Sequence, residues 1–308
     1  AGGWAVGETL AAARAAAGKV QGRRTPVPAR PPLDPPPGEW ALTLATSWVE
    51  PAYVETDASW CEPGGEPASA LGNGGAFGGK VSSIAPAVAR ELADRHGRPV
   101  RVLLSREDTV RLGPKRPPIA AGVRADGTGV VRVVRTPGIA ERIRSVAPGF
   151  EVEEVDVPGP STSVDLRGAG WVEAAVLLAA LRDEDPVVIT RPEGARATAT
   201  IRPDGTIAVT VACGAPLDEV VLHSYCVGAA HMAYSWVTSE QLAVDDAGQV
   251  HDLTVRSFGV VKAADTPPIE VTIEPSDADP VNGSDAVFAA VAAATWRHRG
   301  LPPTWPTG

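Results

Sequence analysis

The chain is short of cysteine, of net positive charge and of long apolar runs, and each shortage removes a class of protein. Three cysteines, Cys61, Cys213 and Cys226, stand far apart in 308 residues. With no C-x-x-C pair among them, zinc-ribbon and iron–sulfur spacings are missing. An odd and sparse set is also no framework for a disulfide-stapled secreted fold. Asp plus Glu number 37 against 28 Lys plus Arg, a formal charge of −9. With no basic block, the chain lacks what a nucleic-acid binder that tracks phosphates needs. No apolar run reaches the length of a membrane span. The N-terminus has no charged stretch followed by an apolar one of signal-peptide type. The cytoplasm is the expected compartment.

What is present describes a globular protein of one large domain or two ordinary ones. Hydrophobic residues make up 44% and charged residues 21%, and the length suffices for a sizeable core. The first part of the chain, 1–39, reads as a separate N-terminal region: an Ala-rich helix over 7–20, then a basic, proline-rich stretch over 21–37 (QGRRTPVPARPPLDPPP). Proline removes donors and favours extended backbone, so this stretch is either an arm lying over a surface or an untethered tail. From 40 to 308 the pattern is α+β. A strand is expected over 40–50, a helix over 82–96 stopped by Gly97, and a strand over 100–105. Hairpins are expected at Asp126-Gly127, Asp204-Gly205 and Asp246-Ala247-Gly248, where Gly supplies the positive φ of a tight turn. Helices are expected over 170–181, 216–236 and 284–299, with a strand over 270–273. The fold class predicted is α+β, with mixed sheets and packed helices.

The densest chemical signal is the segment 72–80, GNGGAFGGK, with five glycines in nine residues ahead of a helix. Such a loop lets backbone N–H groups approach an anion or cofactor, or simply packs a helix tightly against a strand. It is no P-loop, because Val81 stands where Ser or Thr would hold the metal, and it lacks G-x-G-x-x-G spacing. His223 and His231 lie eight apart on one expected helix, too far for an H-E-x-x-H metal pair, and read as polar groups satisfied in a core. Glu55 and Asp57, two apart and expected on one face of a strand, read as edge charges before a catalytic pair. Cys213 and Cys226 read as small buried hydrophobes.

Several blocks in order carry a family resemblance. They are GGAFGGK at 74–80, the following helix, GRPVRVLLSRED at 97–108, GPKRP at 113–117, STSVDLRGAGWVEAAVL at 161–177 and KAADTPPIEV at 262–271. This series resembles the molybdenum-binding large subunit of the xanthine dehydrogenase and aldehyde oxidase family. There a GGGFGGK loop, a GRPVR strand, an R-E-D turn, a GKRHP segment and an A-F-R-G-F-G segment follow one another. The resemblance implies the molybdopterin-binding α+β fold and a molybdenum–pterin cofactor. It implies cofactor contacts from Gly75, Ala76, Phe77, Gly78 and Gly79, and from Arg167, Gly168, Ala169 and Gly170.

The activity implied is oxidation of a C–H bond with water, as a component of a molybdenum hydroxylase. Electrons would pass to iron–sulfur and FAD partner subunits in a hetero-oligomer, since this chain carries no iron–sulfur, flavin or zinc motif. The sequence also departs from the pattern. Ser284 stands at the position of the family's catalytic Glu, with Asp285 one residue further on. Asp285 is the candidate base, and an acid in a first helical turn equally serves the macrodipole. Val81 replaces the Glu of purine-converting members, and no G-x-x-E-x-G-Q-G cofactor loop is found. Another molybdopterin-domain chain would have to supply that loop. The alternative is a non-catalytic structural or assembly subunit of such a complex that has lost the base.

Overall fold

Strand alternation and turn chemistry lay out the sheets. The computed structural model describes residues 3–18, 26–182, 184–251 and 253–308. Helix α1 (Leu10–Ala17) is capped by the Thr9 hydroxyl, which accepts from the Ala12 N–H at 3.1 Å, and ends at Gly18. It is followed by β1 (Leu42–Thr46), β2 (Ala58–Cys61), α2 (Ala85–His96), β3 (Val100–Leu103), α3 (Arg106–Leu112) and β4 (Ile119–Val123). Next come β5 (Gly129–Val134), α4 (Ile139–Arg144), β6 (Phe150–Val155), α5 (Trp171–Ala180) and β7 (Val187–Thr190). Then follow β8 (Arg196–Ile201), β9 (Ile207–Ala212), α6 (Glu219–Thr238), β10 (Ile269–Ile273), α7 (Ser284–His298) and β11 (Thr304–Trp305).

The strands form a five-stranded sheet in the order β11-β1-β4-β5-β6 and a four-stranded sheet in the order β10-β9-β8-β7. A small β2–β3 pair carries α2 through Cys61, Ala89, Leu92 and Val102. Both larger sheets are mixed. In the first, β11 and β1 run parallel, as do β5 and β6, which α4 connects as a crossover. In the second, β10 lies parallel to β9. The expected hairpins at Asp126-Gly127 and Asp204-Gly205 are the β4–β5 and β8–β9 turns.

Helix α7 is the axis of the core. Every residue from Ser284 to Trp296 is buried, so the helix, apolar all round from Ala286 to Ala294, lies inside the molecule rather than on its surface. It packs on α5, α6, β7 and β8. At its end Trp296 meets Trp305 edge-on at 5.5 Å, and Trp305 meets Trp236 at 4.7 Å. The aromatic side chains thereby fasten the last strand to the core.

Two expectations need adjusting. The hairpin at 246–248 is short: the Gly248 N–H donates to the Asp245 carbonyl at 2.9 Å and the Asp245 N–H to the Gln249 carbonyl at 3.1 Å, with one bridge between Val244 and Val250 in place of extended strands. The strand expected over 40–50 stops at Thr46 and continues as buried irregular chain. Strand β6 lies beyond those expected, and its F-E-V-E-E-V pattern is that of an edge strand buried on one side. Residues 19–25, part of the expected first helix and arm, lie outside the described residues. Beyond them the arm lies on its own chain. Leu33 enters a core cluster with Trp48 and Phe258, and Arg132 donates to the Asp34 carbonyl at 2.8 Å. Among the described residues, no helix is long and apolar enough to cross a membrane.

Candidate functional site

The three segments singled out in the sequence meet at one side chain, Arg167. In the glycine loop, Phe77 adopts a left-handed φ of 50°. Its carbonyl accepts the Arg167 N–H at 2.9 Å, and its ring lies 4.9 Å from the Arg167 guanidinium. Gly78, at φ 92°, is required by this closeness, since a Cβ there would stand 1.7 Å from the Asp165 carbonyl oxygen. The loop and the 165–170 segment are therefore fastened backbone to backbone. Lys80, 2% exposed, donates from Nζ to the Gly74 carbonyl at 3.1 Å and lies 5.3 Å from the Tyr53 ring. Burial pushes its pKa down, and Asp57 and Glu55 pull it back.

The 167–170 segment owes its glycines to packing. A Cβ on Gly168 would meet Val172 Cγ2 at 2.3 Å, and one on Gly170 would meet Ile139 Cδ1 at 2.8 Å. Ala169 is fully buried beside them. The Gly170 N–H is accepted by Glu173 Oε2 at 2.8 Å. Glu173 in turn takes Arg116 in a two-pronged pair at 2.6 and 2.9 Å. The remaining prong of Arg116 donates to the Arg167 carbonyl at 2.6 Å, and its guanidinium sits 4.3 Å from the Trp236 ring.

The start of α7 closes the other side. Arg167 Nε stands 3.2 Å from Asp285 Oδ1, and Asn282 Nδ2 donates to Asp285 Oδ2 at 3.1 Å. Ser284 Oγ donates to Asn282 Oδ1 at 3.0 Å and accepts from Arg167 Nη2 at 3.5 Å. Asn282 Oδ1 also accepts the Asp285 N–H at 3.3 Å from one residue ahead of Gly283, the N-cap of α7. Burial pushes the pKa of Arg167 down, and the Asp285 charge opposes this.

Beside Phe77 and Arg167 lies a cavity of about 40 Å³, bordered also by Glu50, Arg116, Trp236 and Glu240. It has room for about two waters. Glu50 forms a fully buried ion pair with Lys115 at 2.9 Å. Burial pushes Glu50 up and Lys115 down, and each partner's charge works against the other's shift. Burial raises Glu240 to about 7, with the negative charge of Glu50 adding and a hydrogen bond with Ser235 opposing.

Glu50, Arg116, Glu173 and Glu240 are residues the sequence reading did not reach. Their partners lie far away in the chain, and only the adjacent cations of the GPKRP segment hinted at them. Other candidates lie elsewhere. His223 is exposed, not core, while His231 Nε2 pairs with the Val261 carbonyl at 2.9 Å. Glu55 and Asp57 share no strand face, because both precede β2. Glu55 is exposed, and Asp57 is buried, accepting the Tyr53 hydroxyl at 2.6 Å. Cys213 and Cys226 are buried, and burial holds the Cys226 thiol up at about 12.

No family model and no curated protein matches the sequence. Solved structures do match. Quinoline 2-oxidoreductase from Pseudomonas putida 86 superposes with a TM-score of 0.57 at 10% identity, over 86% of this chain and 74% of that one. The fold is similar to that of quinoline 2-oxidoreductase. Aldehyde oxidoreductase from Desulfovibrio gigas gives a TM-score of 0.33 at 16% identity, over 63% of this chain and 35% of that one. The Cu,Mo-CO dehydrogenase gives 0.28 at 11% identity, over 58% and 34%. The last two are too loose to carry weight. The first bears out the α+β fold, with mixed sheets and packed helices, that the sequence blocks implied.

Proposed function

We propose that this chain is a non-catalytic structural subunit of a molybdenum hydroxylase-type assembly, keeping the cofactor-facing fold without a cofactor or base of its own. The observation that carries this reading is the Arg167–Asp285 contact. Both carboxylate oxygens of Asp285 are engaged, one by Arg167 at 3.2 Å and the other by Asn282 at 3.1 Å, with Arg191 Nη2 3.9 Å from the second, so the side chain is held in a structural ion-pair network rather than standing free as a base. A molybdenum–pterin group does not fit the residues present. Gly78, Gly168 and Gly170 are taken up by the chain's own packing, although a Cβ on Gly75 would meet nothing within 4 Å, and the adjoining cavity, about 40 Å³, is far smaller than such a group. Ser284, at the position of the family's Glu, brings no carboxylate.

A second reading has one observation in its favour: Phe77, Arg167, Ser284 and Asp285 converge as parts of one site. On that reading the chain is a component of the hydroxylase itself. Gly75 to Gly79 and Arg167 to Gly170 face the cofactor, and iron–sulfur and FAD chains receive the electrons.

Asp285→Asn and Arg167→Met, introduced into the assembly purified from its native host, distinguish the two. Asp285→Asn leaves Arg167 without its counter-charge, Arg167→Met leaves Asp285 only the longer contact with Arg191 at 3.9 Å, and each is expected to destabilise the chain by roughly 3 kcal/mol. Dye-linked oxidation of aldehydes or N-heteroaromatics by the assembly is expected to stay unchanged. Lost turnover at unchanged melting temperature contradicts the structural reading and supports the catalytic one.

A further inference from the structure

Two apolar surfaces of this chain face nothing. The first is the start of α6, where Leu217, Val220 and Tyr225 are 95%, 80% and 60% exposed and Val221 is exposed beside them. Positions 221, 224, 225 and 228 fall on one helical stripe, with Leu217 just ahead of the helix. Ser224 and Gly228 keep that stripe low, and a Cβ on Gly228 would meet nothing within 4 Å. The second surface is the N-terminal segment. Helix α1 buries none of its residues, and Trp4, Val6 and Leu10 are exposed. An alanine-rich helix of 8 residues is marginal in water by itself. What ties this one down is an exposed ion pair, Glu8 to Arg98 at 2.8 Å, a contact of small worth.

The charges of the two surfaces complement each other. Around the start of α6 stand Asp218 and Glu219. Asp277 and Asp279 are exposed on the adjoining segment, which is joined there by the Ala215 N–H donating to the Ala278 carbonyl at 2.8 Å. Residues 1–25 carry one acid, Glu8, against Arg14, Lys19, Arg23 and Arg24. Laid antiparallel, the C-terminal turn of α1 with Arg14 meets the acidic N-terminal turn of α6, and the helix dipoles oppose favourably.

We infer that a second copy of this chain covers the α6 stripe with its α1 segment, and that the contact is reciprocal, giving a two-fold dimer by exchange of N-terminal helices. Each copy then covers both uncovered surfaces of the other. The occupant is the same polypeptide, because both surfaces and both charge patterns belong to it.

Sedimentation equilibrium of the full chain over a micromolar concentration series tests this. The expected result is a reversible dimer. Leu10→Glu and Tyr225→Glu, both at exposed positions, each give a monomer with an unchanged circular dichroism spectrum. Arg14→Glu raises the dimer dissociation constant about tenfold, and adding Glu219→Arg restores it. A wild-type chain that stays monomeric overturns the proposal. So does a dimer that survives Leu10→Glu, which would mean that something other than α1 covers α6.

Discussion

Glu173→Leu is expected to cost the fold about 3–5 kcal/mol, among the largest losses available to any single substitution in this chain. Glu173 is 2% exposed and meets three donors: two prongs of Arg116, at 2.6 and 2.9 Å, and the Gly170 N–H at 2.8 Å. Removing the carboxylate leaves the Arg116 guanidinium buried against Trp236 and Phe288 with no counter-charge. The double variant Arg116→Met with Glu173→Leu is expected to recover most of the loss, because the desolvation of both charges disappears together. Urea unfolding of the single and double variants measures this. A single variant within about 1 kcal/mol of wild type means that the pair does not hold the 167–170 segment.

Glu240→Gln is expected to act in the opposite direction and to depend on pH. The folded-state pKa of Glu240 lies at about 7, above its ordinary 4.5, and burial is the main cause. Between those values the folded chain holds a proton that the unfolded chain has released. The stability this group contributes is therefore fully present below pH 4.5 and lost as pH rises through about 7. The shift corresponds to roughly 3 kcal/mol. Glu50, Arg116 and Arg167 border the same cavity, Lys115 is paired with Glu50, and all four remain in the variant. The Gln side chain keeps the shape without the titration. The variant should therefore be more stable than wild type at pH 8 and flatter between pH 5 and 7, as thermal unfolding at a series of pH values will read. Equal stabilities at pH 8 contradict the burial of an ionised Glu240.

Both expectations concern residues that the sequence reading missed, and the reason is physical. The β4–β5 and β8–β9 hairpins are legible because Asp126-Gly127 and Asp204-Gly205 are local turn chemistry flanked by apolar strands. Helix α7 is legible because its start, its end at Gly300 and its alanines lie in one continuous stretch. The strand β6 is harder, since its partner β5 is parallel and reached only through α4. At the site, the glycine loop, Arg167 and Asp285 stand out because their blocks keep a family's order. The pairing of Arg116 with Glu173 or of Lys115 with Glu50 depends on chain segments that only the folded core brings together. Gly78, Gly168 and Gly170 illustrate the opposite risk. They look like a cofactor cradle in sequence, and each is accounted for by a neighbouring atom of the chain itself.

Native mass spectrometry of the assembly purified from its native host, with subunits released one at a time, tests the structural reading most directly. The account predicts that this chain leaves with the mass of the bare polypeptide, and that any molybdenum and pterin remain with a partner. Release of the chain together with a stoichiometric molybdenum–pterin group contradicts it, and makes Arg167 and Asp285 parts of a working site.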